Sequence, residues 1–189
     1  QPQSGERWLA YLTHYRLADE IMAWSAQNPE VKLDCFWDNP ARRETYHYSD
    51  SLTFHPIDAE NYLSKMTECA GLISTAGFES VAEAMYLGKP AMMVPVPNHI
   101  EQMINAFDGE MSGAGIGASS FDLSIFKKYL PSHVSVQNQY QEWVSQSQQL
   151  MAGHLSDLIA QPVYVANFGE NQGTGLSGML GRRRFRWSR

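Results

Sequence analysis

Short apolar runs alternate with stretches of helical spacing along most of this chain. Residues 7–13, 32–37, 52–57, 71–74, 91–96 and 115–119 are too short for helices and are bounded by Gly, Pro or polar clusters, which predicts six strands. Between the first two, Leu17, Ile21, Met22 and Trp24 fall near helical spacing, and Asn28-Pro29 stops the helix. Residues 38–50 are polar, carry Pro40 and read as a loop. Asp58 is placed to cap a helix over 59–70 that carries Asn61, Tyr62, Leu63 and Met66. Residues 78–87 form a strongly helical run closed by Gly88, Lys89 and Pro90. Helices over 100–111 and 122–130 follow. Residues 136–160 read as one long polar helix, with Tyr140, Trp143, Leu150, Leu155 and Leu158 as its buried positions.

Strands alternating with helices, the strands continuously apolar, predict an α/β fold: a doubly wound parallel sheet of about six strands, covered by helices on both faces. No internal repeat is evident. With 189 residues, 43% hydrophobic and 18% charged, the chain is long and apolar enough for one domain and is no disordered polyelectrolyte. Cys35 and Cys69 are too few and too far apart for a disulfide scaffold or a zinc ribbon. No apolar run is long enough to span a membrane, and no signal peptide is visible. A start at Gln1 rather than Met reads as a fragment with an upstream part missing.

Charge divides the chain. Residues 1–161 hold nine Lys/Arg against nineteen Asp/Glu, a balance of -10, whereas residues 162–189 hold five Arg against one Glu. An acidic body argues against nucleic acid as a partner. The domain is therefore drawn at 1–161. The Gly-rich, basic tail at 162–189, ending RRRFRWSR, reads as a disordered terminus, with contact to anionic lipid or nucleic acid as its alternative.

Doubly wound sheets bind ligands beyond the carboxyl ends of their strands. The candidate loops hold His14-Tyr15, His55 to Asp58, Ser74 to Gly77, and Pro95 to Gln102. Ser74-Thr75-Ala76-Gly77 joins a strand directly to a helix. Small residues let backbone N–H groups approach a ligand, and the helix end offers unpaired donors suited to a diphosphate. An ordinary tight turn would use the same residues. Glu83 lies three residues after Ser80, where a carboxylate can accept from the two hydroxyls of a ribose, or serve only as a first-turn charge. Glu101 and Gln102 offer a carboxylate beside an amide, a pair suited to sugar hydroxyls or to a polar helix start.

Taken in order, the small-residue loop, Ser80 to Ala84 (Ser-x-x-Glu-Ala), Gly88-Lys89-Pro90, the apolar strand from Ala91 to Pro95, and Glu101 to Ala106 (Glu-Gln-x-x-Asn-Ala) resemble the donor-binding signature of GT-B glycosyltransferases. The pattern is similar to that of the lipid I N-acetylglucosaminyltransferases and the UDP-glycosyltransferases. The resemblance implies a Rossmann-like domain, the C-terminal half of a GT-B fold, without the N-terminal acceptor half. It implies that Ser74, Thr75, Ala76, Gly77 and Ser80 hold the diphosphate and that Glu83 binds the ribose. Ile57 would meet the base through its backbone, and Glu101 with Gln102 the donor sugar. Asn105-Ala106 would serve helix packing. Two departures stand out: Thr75 where plant members carry His, and Glu79 where many relatives have Asn, Ser or Thr.

What the resemblance implies of function is transfer of a hexosyl group from a UDP-sugar to an acceptor hydroxyl, with inversion, by a cytoplasmic enzyme. The catalytic base would sit in the missing half, so the fragment alone would be inactive. The acceptor would be lipid-linked or a glycan, at the inner face of the membrane with peripheral association. The nucleotide sugar is a substrate, so neither cofactor nor metal is expected. The alternatives are a non-catalytic sugar-nucleotide-binding module and a UDP-sugar 2-epimerase.

Overall fold

The computed structural model describes residues 5–160. Its strands are β1 (Arg7–Leu12), β2 (Lys32–Trp37), β3 (Tyr46–His47), β4 (Leu52–Pro56), β5 (Gly71–Ser74), β6 (Ala91–Met93) and β7 (Gly115–Gly117). Its helices are α1 (Ala18–Gln27), α2 (Ala59–Glu68), α3 (Phe78–Leu87), α4 (Ile100–Met111), α5 (Leu123–Tyr129), α6 (Gln137–Ser145) and α7 (Ser147–Ala160). All seven strands join one sheet in the order β3-β4-β2-β1-β5-β6-β7. Every pairing is parallel except β3 with β4.

The six strands and the doubly wound layout expected from the sequence are present. One core layer packs β1, β2 and β6 side chains, among them Trp8, Leu12, Trp37 and Met92, against Ile21 and Trp24 of α1 and Leu123 and Phe126 of α5. The opposite layer packs Leu9, Phe36, Leu72 and Met93 against Tyr62 and Met66 of α2, Val81 and Met85 of α3, and Ala106 of α4. Successive strand residues alternate between the layers, so continuous apolar runs are what a sheet covered on both faces requires.

Local chemistry sets the boundaries. The Asp58 carboxylate accepts from the Asn61 amide at 2.7 Å and starts α2. Gly88, at φ +72°, closes α3 in the left-handed conformation that glycine adopts without strain. At Gly115 a Cβ would lie 1.7 Å from the Ala91 carbonyl oxygen, so β7 reaches β6 only with a hydrogen there. Cys35 and Cys69 are buried and free.

Two expectations need correction. The stretch 38–50 is not all loop: Tyr46 and His47 pair antiparallel with Phe54 and Thr53 and add an edge strand too short to show any alternation. The helix expected over 136–160 is two helices. The Gln146 amide turns back to the Trp143 carbonyl, a tightened last turn that ends α6. Tyr140 is half-buried, but Trp143, Leu150, Leu155 and Leu158 are 57%, 44%, 50% and 64% exposed. Apolar spacing marks a helix face, not whether anything covers it. The chain divides into compact units at Gln148, and α7 falls almost wholly in the second. The tail expected at 162–189 and the boundary before it lie outside the described residues.

The sheet also buries a charge that apolar patterning passes over. Asp34, in mid-β2, receives the Arg7 Nε at 2.6 Å and the His55 Nε2 at 2.7 Å, with the Lys65 ammonium 3.4 Å away. Burial alone would raise this carboxyl's pKa. The hydrogen bonds from His55 and Arg7, with the charges of Arg7 and Lys65, outweigh burial and hold it far below the usual carboxylate range. A depressed folded-state pKa contributes stability above the unfolded value that is lost as pH falls. Asp34→Asn should cost about 2–3 kcal/mol at pH 7, the buried-pair range reduced because Arg7 is a third exposed. Denaturant titrations should show that the variant also loses less further stability than the parent on acidification below about pH 4.

Candidate functional site

β1 is hydrogen-bonded to β2 on one side and to β5 on the other, so the strand order reverses there. A crevice opens beyond the carboxyl ends of such a pair. Here it has a volume of about 370 Å³, between Tyr11 and Thr13 of the β1 side, Ser74, Thr75 and Gly77 of the β5–α3 turn, Glu79 and Ser80 of α3, and Glu101 of α4.

The turn is held under strain. Ala76, fully buried, has φ +59°, a conformation that costs a non-glycine residue roughly 1–2 kcal/mol. Ser74 Oγ accepts the Ala76 amide at 3.2 Å, and Asn105 Nδ2 of α4 donates to the Ala76 carbonyl at 3.1 Å. This geometry turns the chain from β5 into α3 within three residues. Gly77 then occupies the N-cap position at an ordinary φ of -67°, with no side-chain cap, and a Cβ there would meet nothing within 4 Å. Neither backbone conformation nor crowding requires glycine at this point. Its effect is to leave open the space in front of the first-turn amides, which lack a capping side chain.

Such an end carries unpaired N–H donors and partial positive charge and favours an anion. The charged side chains lining the crevice are acidic, Glu79 and Glu101. Glu83 has its pKa raised, first by burial and then by the charge of Glu79. The Tyr11 hydroxyl is raised by burial and by Asp38 and Glu79. The anion-favouring groups are thus backbone and hydroxyl donors rather than cations. A larger hollow of about 630 Å³ lies at the opposite, amino ends of the strands. Its cations are engaged, Arg7 and Lys65 with Asp34, and Lys89 with the Cys69 carbonyl at 2.8 Å.

Comparison with known proteins decides the family. The model of glycosyl transferase family 1 matches residues 1–132. The chain belongs to glycosyl transferase family 1. Its fold is that of GT-B glycosyltransferases: the glycotransferase of kitacinnamycin and the glycosyltransferase SnogD from Streptomyces nogalater each superpose with a TM-score of 0.53, at 14% and 15% identity. Those alignments cover 84% of this chain but only 44% and 45% of theirs. A curated relative from Lactobacillus delbrueckii subsp. bulgaricus, a UDP-N-acetylglucosamine--N-acetylmuramyl-(pentapeptide) pyrophosphoryl-undecaprenol N-acetylglucosamine transferase, is 35% identical over 79 residues, 41% of this chain and 21% of its own length. The enzyme of the same name from Lactobacillus acidophilus is 32% identical over 83 residues, 43% of this chain and 22% of its own. The chain therefore spans about a fifth of the curated relatives it matches and under half of these two solved structures.

In this family 1 domain the structure brings Ser74, Thr75, Gly77, Ser80 and Glu101 to one crevice. Ala76 lies fully buried behind them. Glu83 stands one turn further along α3, half-buried, outside the crevice lining. Ile57 is 47% exposed just beyond β4, separated from β1 by β2. Gln102 is only 7% exposed, and its Oε1 accepts the Val96 amide at 2.8 Å, fixing the turn after β6. His14 is likewise engaged, accepting from the Arg16 amide and stacked on Tyr15. Sequence reading missed Tyr11 and Thr13, whose placement follows only from β1 being the central strand.

Two outcomes follow from this geometry. Gln102→Ala should lower stability by about 1–3 kcal/mol, because the Val96 amide loses its acceptor, whereas Glu101→Gln, at an exposed site, should leave the melting temperature unchanged. A raised folded-state carboxyl pKa means stability falls as pH rises through it. Glu83→Gln should therefore melt higher than the parent at pH 7, with the difference vanishing below the ordinary carboxylate range.

Proposed function

We propose that this domain binds the nucleotide-sugar donor, a UDP-sugar, in a glycosyltransferase that passes a hexosyl group to an acceptor hydroxyl with inversion. The observation that carries the reading is the uncapped start of α3, opened by Gly77 at the point where strand order reverses. The diphosphate lies against the Ser74–Gly77 turn and the Ser80 hydroxyl. Glu83 accepts from the ribose hydroxyls, relieving the poorly solvated carboxylate. The base lies toward the backbone at Ile57, and the hexose toward Glu101, with Gln102 holding the turn beside it. UDP as the nucleotide draws support from the donor in the Lactobacillus relatives' names.

In the reaction a base outside this domain takes the acceptor proton, and the acceptor oxygen attacks the anomeric carbon. The charge that develops on the leaving diphosphate is met by the α3 amides, already oriented, with no obligatory metal. A lipid-linked acceptor accords with the undecaprenol named for the same relatives. No described helix is long and apolar enough to cross a membrane. A cytoplasmic enzyme working at the inner membrane face by peripheral contact fits these features.

Calorimetry with UDP, UDP-sugars, GDP and dTDP tests the reading. UDP and a UDP-sugar should bind, and failure of every nucleotide to bind folded protein overturns it. Glu83→Ala should weaken UDP by about 1.5–3 kcal/mol for each hydrogen bond lost to the charged carboxylate, and the deoxyribose analogue by less. Equal losses for both would assign Glu83 to general surface electrostatics instead.

A further inference from the structure

Glu79 is the second residue of α3, and it lines the crevice together with Ser74, Thr75, Gly77 and Ser80. Its own amide is one of the first-turn donors open to an anion. Side chains on a helix lean toward its N-terminus, so this carboxylate is carried toward the same end as those amides. Burial raises the pKa of Tyr11, on the β1 side, and of Glu83, one turn along α3; the Glu79 charge raises both further, joined by Asp38 at Tyr11. Among the described residues Glu79 enters no ion pair, and the crevice lining holds no Lys, Arg or His to offset it. Glu101, the other lining carboxylate, belongs to α4 and is not among the α3 donors.

An anion held at that end is attracted by the backbone dipoles and repelled by a fixed negative charge. The repulsion grows with the charge on the anion. In a nucleotide sugar the β-phosphate is a diester and carries one negative charge. When the anomeric C–O bond breaks, its electron pair stays on the β-phosphate, which becomes a monoester with a second pKa of about 6 and so gains nearly one further charge near pH 8. We propose that Glu79 sets the discrimination between donor and product, its carboxylate repelling UDP more than a UDP-sugar and so favouring departure of the spent nucleotide. The α3 amides hold either nucleotide, and Glu79 makes the difference between them. This rests on the donor-binding reading above and adds to it a residue that weakens diphosphate binding.

The test compares the full chain with Glu79→Gln near pH 8 on three ligands: uridine, UDP, and UDP methylated on its β-phosphate, which has the charge of a UDP-sugar and no sugar. Calorimetry follows the two diphosphates and NMR titration the uridine. Glu79 is exposed, so the variant should keep the parent's fold, which its amide spectrum checks. The expected result is that uridine binds both chains alike, the methyl ester binds the variant about two- to threefold more tightly, and UDP about four- to tenfold. Both gains should shrink on raising the salt to about 0.5 M. Glu79→Asp, which keeps the charge, should keep the parent's preference. Unchanged UDP affinity, equal gains for UDP and its methyl ester, an equal gain for uridine, or a Glu79→Asp chain that behaves as Glu79→Gln would each overturn the inference while leaving the donor reading intact. A parent chain that binds neither UDP nor its methyl ester overturns the donor reading and this inference with it.

Discussion

The position of β1 between β2 and β5 is the constraint from which the site follows. Both pairings are parallel, so both neighbouring strands deliver their chains to the same end of the sheet. The chain leaving β1 and the chain leaving β5 must then diverge, toward α1 on one face and α3 on the other, and the space between them cannot be filled by either. What leaves that space open to a ligand is the abrupt entry to α3. A longer loop would carry its own polar groups over the helix start. The three-residue turn instead accepts strain at Ala76, and Ser74 and Asn105 offset it with one hydrogen bond each.

The site works against stability elsewhere as well. Glu79 and Glu83 repel one another on a partly desolvated helix. This cost is of the kind that a ligand with hydroxyl donors removes. The framework beneath is set differently. Asp34 gathers Arg7, His55 and Lys65 from β1, β4 and α2, so the charge buried in the sheet ties three elements together.

Most of the layout was legible in the sequence because both faces of the sheet are covered. Runs such as residues 71–73 and 91–93 are apolar throughout, and Gly88 and Asp58 punctuate the helices around them. The order of strands was not legible, since pairing across the chain leaves no local pattern, and with it the place of Tyr11 and Thr13 was lost. The edge strand at Tyr46–His47 was hidden by its length, and the break at Gln146 by the absence of Gly or Pro. Gln102 shows the limit at the site itself. Its residue type and position permit a sugar contact, but only the folded chain shows its carbonyl already bonded to Val96. Gly77 was legible as part of a small-residue turn, whereas the empty space before it is a tertiary property.

The most direct test of the account is a map of backbone amide shifts on titrating the chain with UDP. The account predicts that the largest changes fall on the amides of Thr75 to Ser80, with lesser ones at Thr13 and Glu101, and none at Arg7, Lys65 or Lys89. Saturable shifts centred on the hollow at the amino ends of the strands, with the α3 amides unmoved, would contradict it.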